Sequence, residues 1–247
     1  MKKYFTVLAI LFSVCAGAQN DRVNDFNNIN WLQTFNTISL NKKWSLHFEY
    51  QWRRNQGLKY WQQSLLRTGV NYKVNDNITA HAGYAWIETF AYGDFPLASA
   101  GTFPEHRLYE QITFRQPVNK WTFLHRFRIE QRWLGKIKSG SQGEIEDWIF
   151  LHRFRYQFRM QHAIWKKDEK QFYSAMADEI FIGAGKNLGV NIFDQNRIFL
   201  LAGYRFNKRF AIEGGYVNQT LQQGRRINDK TIMQRNNGVV ISSILNL

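Results

Sequence analysis

FLHRFRIEQRW at 123–133 and FLHRFRYQFRM at 150–160 begin with the same six residues, 27 positions apart. Successive side chains of a β-strand point to opposite sides, so each stretch divides into two faces. In the first, Phe123, Phe127, Ile129 and Trp133 share a face with His125, and Leu124, Arg126, Arg128, Glu130 and Arg132 lie opposite. In the second, Phe150, Phe154, Tyr156, Phe158 and Met160 share a face with His152, against Arg153, Arg155, Gln157 and Arg159. One face is aromatic and the other carries guanidinium groups. Two such neighbours read as a hairpin joined through 134–146.

The same alternation runs along the chain. WSLHFEYQW at 44–52 puts Trp44, Leu46, Phe48, Tyr50 and Trp52 on one side and Ser45, His47, Glu49 and Gln51 on the other. Eleven candidate strands follow, at 28–40, 44–54, 60–74, 78–89, 105–116, 121–133, 147–160, 172–182, 197–206, 210–220 and 233–247. Several are longer than the usual five or six residues of a soluble strand. Short polar turns are expected at 41–43, 75–77, 116–120 and 207–209, and longer links at 55–59, 90–104, 134–146, 183–196 and 221–232. The connection at 161–171 is long where a short one belongs. Pro96, Pro104 and Pro117 are all assigned to connections, because proline cannot donate to a ladder.

Long strands, two-faced alternation and turns of alternating length predict an all-β, antiparallel transmembrane β-barrel of ten to twelve strands, with short periplasmic turns and longer outer loops. An even count favours twelve, the extra strand coming from 19–27. Trp44, Trp52, Trp86, Trp121, Trp133 and Trp148 fall near strand ends, where aromatic girdles form. An arginine on the lipid side at mid-membrane would cost roughly 2–4 kcal/mol, so the arginine faces are expected inward. Glu110 fits badly, sharing the alternation of Leu108, Ile112 and Phe114 unless a bulge shifts the phase.

The amino-terminal stretch supports export. Lys2 and Lys3 precede an apolar run from Tyr4 to Val14 and an Ala16-Gly17-Ala18 cleavage motif, which marks 1–18 as a secretory signal peptide and 19–247 as the barrel. Cys15, the one cysteine, falls within that leader, so the exported chain has neither disulfides nor thiolate chemistry. Removing the leader lowers the net charge from +14 to +12. The basic residues are spread over nearly every segment rather than gathered in one patch. With export, that spread argues against nucleic acid as a partner.

The inward alternation collects Arg67, Arg107, Arg115, Arg126, Arg128, Arg132, Arg153, Arg155, Arg159 and Arg205, opposed by Glu49, Glu130, Glu179 and Glu213. The plainer reading is an internal salt-bridge network, which suits the planar fork of arginine. The functional reading is a basic pore that prefers a small anionic solute. A closed structural or adhesion barrel is the first alternative and a lipid-modifying enzyme the second. The motifs for enzymes are missing: there is no HExxH, CxxC or GxSxG. No histidine precedes a serine by two positions, and no cofactor or metal is expected. The acidic stretch 144–147 is expected to be solvated beside lysines.

NKKWSLHFEYQWR at 41–53, PEHRLYEQ at 104–111, LHRFRIEQRW at 124–133, DEIF at 178–181 and QNRIFLLAGYRF at 195–206 resemble the bacterial outer-membrane family catalogued as domain of unknown function 2490. The resemblance covers essentially all of 19–247. It implies a signal peptide, a barrel and contact with outer-membrane lipid, and it transfers no catalytic residues.

Overall fold

Eleven alternating stretches become eleven strands in the computed structural model, which describes residues 21–98, 101–141, 143–189 and 192–247. They are β1 (Arg22–Ser39), β2 (Trp44–Asn55), β3 (Tyr60–Lys73), β4 (Ile78–Thr89), β5 (Phe103–Val118), β6 (Trp121–Ile137), β7 (Ile145–Lys167), β8 (Lys170–Ala184), β9 (Phe193–Arg205), β10 (Phe210–Ile227) and β11 (Lys230–Asn246). The expected leader at 1–18 lies outside the described residues. Each strand pairs with its sequence neighbours, and β1 pairs with β11 to close the barrel.

The count departs from the favoured twelve. Residues 22–27 do not make a separate strand; they lengthen β1. Because direction reverses at every turn, an eleventh strand runs the same way as the first. The seam is therefore parallel, from Arg22 beside Thr231 to Thr37 beside Asn246, while every other pair is antiparallel. Gly238 sits at this seam, and a Cβ there would collide with the carbonyl oxygen of Ile29. The chain thus spends a glycine where the two parallel backbones come closest.

One end of the barrel carries only tight connections. Asn41, Asn75 and Asn207 each turn a side-chain oxygen onto backbone amides two or three residues ahead, at 2.8–2.9 Å. Asn119 and Asp168 hold the two-residue turns of β5–β6 and β7–β8 at φ of 53°, a left-handed conformation that Asn and Asp adopt more readily than most residues. The 161–171 exception disappears, since β7 and β8 run on to a turn at 168–169. At the opposite end, the links expected at 55–59 and 221–232 shrink to 56–59 and 228–229 for the same reason. Pro104 and Pro117 lie inside β5 rather than in connections, each one residue from its end, where a missing amide costs the ladder least.

The outer face is apolar and aromatic along its middle. Phe48, Trp86, Phe127, Ile129, Phe154, Leu200 and Ile241 are all exposed there. The FLHRFR repeats are antiparallel neighbours, with Arg128 opposite Arg155 and Glu130 opposite Arg153. No bulge rescues Glu110: β5 keeps its register on both sides, and the carboxylate stays outside, accepting from Gln131 at 3.1 Å.

Candidate functional site: a guanidinium waist in the lumen

Inside the barrel, β6 and β7 supply the centre of a charged network. Glu130 is 0% exposed and lies 2.6 Å from both Arg153 and Arg155, with Arg107 at 3.4 Å and Arg128 at 3.7 Å. Four arginines converge on one carboxylate because three inward-facing strand rows meet at its height. Around this hub, Glu179 pairs with Arg155 at 2.7 Å and Arg126 at 2.8 Å. Glu105 takes Arg107 and Arg132, both at 2.6 Å. Glu49 takes Arg67 at 2.6 Å, Asp194 takes Arg153 at 2.7 Å, and Glu213 takes Arg159 at 2.5 Å.

Two of the arginines inferred from sequence stand apart. Arg115 and Arg205 keep the inward alternation, but they lie at the exposed rim of the short-turn end. Four charged residues of the network were not singled out from sequence: Arg53, Glu105, Asp194 and Arg197. Arg53 continues the row His47, Glu49 and Gln51, and Arg197 lies between outward neighbours in β9, so both were within reach of the alternation.

Arg53 and Arg197 differ from the rest. Both are buried, and neither has a carboxylate within ion-pair distance among the described residues. Arg53 donates to Gln51 at 2.9 Å and to Gln63 at 2.7 Å, and Arg197 donates to Gln195 at 3.2 Å. Their guanidinium carbons lie 4.1 and 5.2 Å from the ring of Trp31, and Arg197 also covers Phe181 at 4.7 Å. Electron-rich ring faces attract such cations without neutralising them.

The network narrows the lumen to a waist. A cavity of about 310 Å³ opens toward the long-loop end and another of about 370 Å³ toward the short-turn end. Arg53, Arg67, Arg155 and Arg197 line both cavities. Among the described residues, ten buried or half-buried inward guanidinium groups, those of Arg53, Arg67, Arg107, Arg126, Arg128, Arg132, Arg153, Arg155, Arg159 and Arg197, face seven carboxylates, those of Asp25, Glu49, Glu105, Glu130, Glu179, Asp194 and Glu213. The surplus is positive.

The lumen is not wholly polar. Ile29, Trp31, Val217 and Val240 form one buried apolar cluster, and Leu65, Ala85, Ile87 and Tyr109 form another. The link between β4 and β5, expected as an outer surface loop, turns inward over residues 90–98. Asp25, 1% exposed, accepts from the amides of Asp94 and Phe95, both at 3.3 Å, and from Gln234 at 3.0 Å. Tyr92 donates to Gln234 at 3.2 Å and accepts from Asn236 at 3.1 Å and Gln62 at 3.2 Å, and Gln62 in turn accepts from Trp31 at 2.7 Å. Burial pushes the Tyr92 phenol up, so it keeps its donated proton. This strap leaves β4, turns into the lumen and seats on β1 and β11 at the seam.

Elsewhere, His125 lies on the outer face and meets the Tyr156 hydroxyl at 2.9 Å. In the acidic stretch, Glu144 pairs with Lys138 at 3.2 Å and Glu146 with Lys136 at 2.9 Å.

A family model described as "Protein of unknown function (DUF2490)" matches residues 28–230. A search of curated proteins returns no match. Among solved structures, the NanC porin in a rhombohedral crystal form is similar over 82% of this chain and 91% of that chain, at 12% identity and a TM-score of 0.44. A likeness of that size leaves the chemistry of the lumen to be read from this chain's own residues.

Proposed function

Since the chain belongs to the DUF2490 family, whose function is unknown, its role has to be read from the barrel, and we propose an outer-membrane channel that prefers small anions. The location rests on the exterior. From Trp44 to Trp52 the outward side chains of β2 are all apolar or aromatic. Eight residue steps cover roughly 27 Å along a strand at about 3.4 Å each. At a tilt near 40° that gives about 20 Å of height, close to the apolar band of outer-membrane barrels with its flanking girdles. The leader inferred at 1–18 supplies a route of export.

The anion preference rests on one observation, the positive surplus at the waist. A charged groove with low-dielectric walls concentrates counter-ions, and rings of arginine select for negative charge. Arg53 and Arg197 carry this reading furthest, because their charge is held by glutamines and rings rather than cancelled by carboxylates. Chloride efflux from liposomes holding the refolded protein tests it. Efflux that exceeds potassium efflux under matched gradients supports the channel, and a potassium preference refutes it.

A second reading has its own support. Eleven strands enclose a lumen about 1.4 times as wide as the eight-stranded interior that side chains alone can fill, well short of an open porin of roughly 16–18 strands, and Glu130 with its arginines occupies the middle of it. A closed barrel that works through its outer loops would give no flux of either ion from folded protein.

A further inference from the structure

Above the waist, on the long-loop side, the cavity wall changes character. Arg53 and Arg197 form its floor, and the wall above them sets Leu65, Ile87, Leu134 and Ile149 beside the arginine-paired carboxylates of Glu105 and Asp194. Leu65 and Ile87, at 3% and 1% exposure, pack with Ala85 and Tyr109 as the back of the wall, and the half-buried Leu134 and Ile149 carry its open hydrocarbon. An inorganic anion would use the floor and leave the half-buried side chains of Leu134 and Ile149 facing water. A neutral apolar molecule would use the wall and leave two guanidinium groups unpaired. A bare channel for chloride needs neither contrast.

We propose that this chamber is a binding site for an organic carboxylate with a short aliphatic body. The carboxylate sits at the waist between Arg53 and Arg197, and the hydrocarbon lies against Leu65, Ile87, Leu134 and Ile149. The floor is pre-organised. Gln219 donates to the Gln195 oxygen at 2.5 Å, and that same oxygen accepts from Arg197 at 3.2 Å. Gln63, held by its bond to Thr89 at 2.9 Å, accepts from Arg53 at 2.7 Å. These bonds aim the two guanidinium groups without neutralising them, and a carboxylate accepts such forks well. A chamber of about 310 Å³ lies at the small end of ligand pockets, which suits a body of a few carbons. The proposal rests on the anion-channel reading for the ligand's route to the waist, but not for the chemistry that holds it.

Calorimetric titration of refolded protein, in one zwitterionic detergent, with hexanoate, acetate and 1-hexanol separates the contributions of charge and wall. Saturable binding of hexanoate, at least tenfold tighter than either control, is the expected result. Arg197→Gln should weaken it at least tenfold in protein whose heat-modifiable gel migration shows it folded. The comparison of three ligands needs no variant, so it stands if that variant does not fold. Equal affinity for acetate or for hexanol, or no saturation, overturns the site. Chloride efflux measured in parallel keeps the two claims apart. Efflux without hexanoate binding removes the site and leaves the channel, and hexanoate binding without efflux upholds the site and removes the channel.

Discussion

At the scale of single residues, the lumen is organised by which arginines are neutralised. Glu130 is the hub, and its loss is the severest test of that description. Glu130→Gln removes a buried carboxylate from between Arg107, Arg153 and Arg155. Breaking one side of a buried ion pair costs about 3–5 kcal/mol, because the remaining charges stay buried without compensation. The variant should unfold at clearly lower urea concentration than the parent in lipid vesicles. An unchanged midpoint would mean that water, not Glu130, satisfies these guanidinium groups. Much of this network was legible in the sequence, since a period of two assigns a face to every residue of a regular strand. Arg53 and Arg197 were missed although their alternation marks them. Asp25 could not be found that way, because nothing local shows that 22–27 extends β1 or that a distant loop seats on its carboxylate.

At the scale of elements, all eleven candidate strands are present, and the errors lie at their ends. Strand ends stand clear of the apolar band, where polar side chains no longer report a face. That is why β7 and β8 outrun their expected limits to meet at 168–169, and why β10 and β11 reduce a long link to Asn228-Asp229. Both residues of that turn have positive φ, of 48° and 59°. This is the backbone of a tight hairpin turn, which Asn and Asp tolerate. The parallel seam makes a sharper demand. Gly238→Val would drive a branched side chain into the Ile29 carbonyl and push β1 off β11. Gel migration of unheated samples should then match that of the unfolded chain, and a compact, heat-modifiable band would show that the seam does not close as described. The strap is testable in the same way. Asp25→Ala removes the acceptor for the amides of Asp94 and Phe95. Single-channel steps should become larger or noisier, and identical steps would mean that the strap does not restrict the path.

At the scale of the whole molecule, the odd strand count and the inward strap were beyond sequence reading because both are non-local. Closure depends on how strands at the two ends of the sheet meet, and the strap depends on what lines a lumen that exists only after closure. What the sequence did carry was the contrast between an aromatic exterior and an arginine interior. The waist turns that contrast into a claim about charge: a positive surplus shared by two cavities, with Arg53 and Arg197 as its least neutralised members. The reversal potential of refolded protein in a planar bilayer under a KCl gradient tests this claim most directly. The account predicts reproducible steps and a reversal potential on the chloride side, moving toward zero in Arg53→Gln and Arg197→Gln. A reversal potential on the potassium side, or no steps from protein shown to be folded, would contradict it.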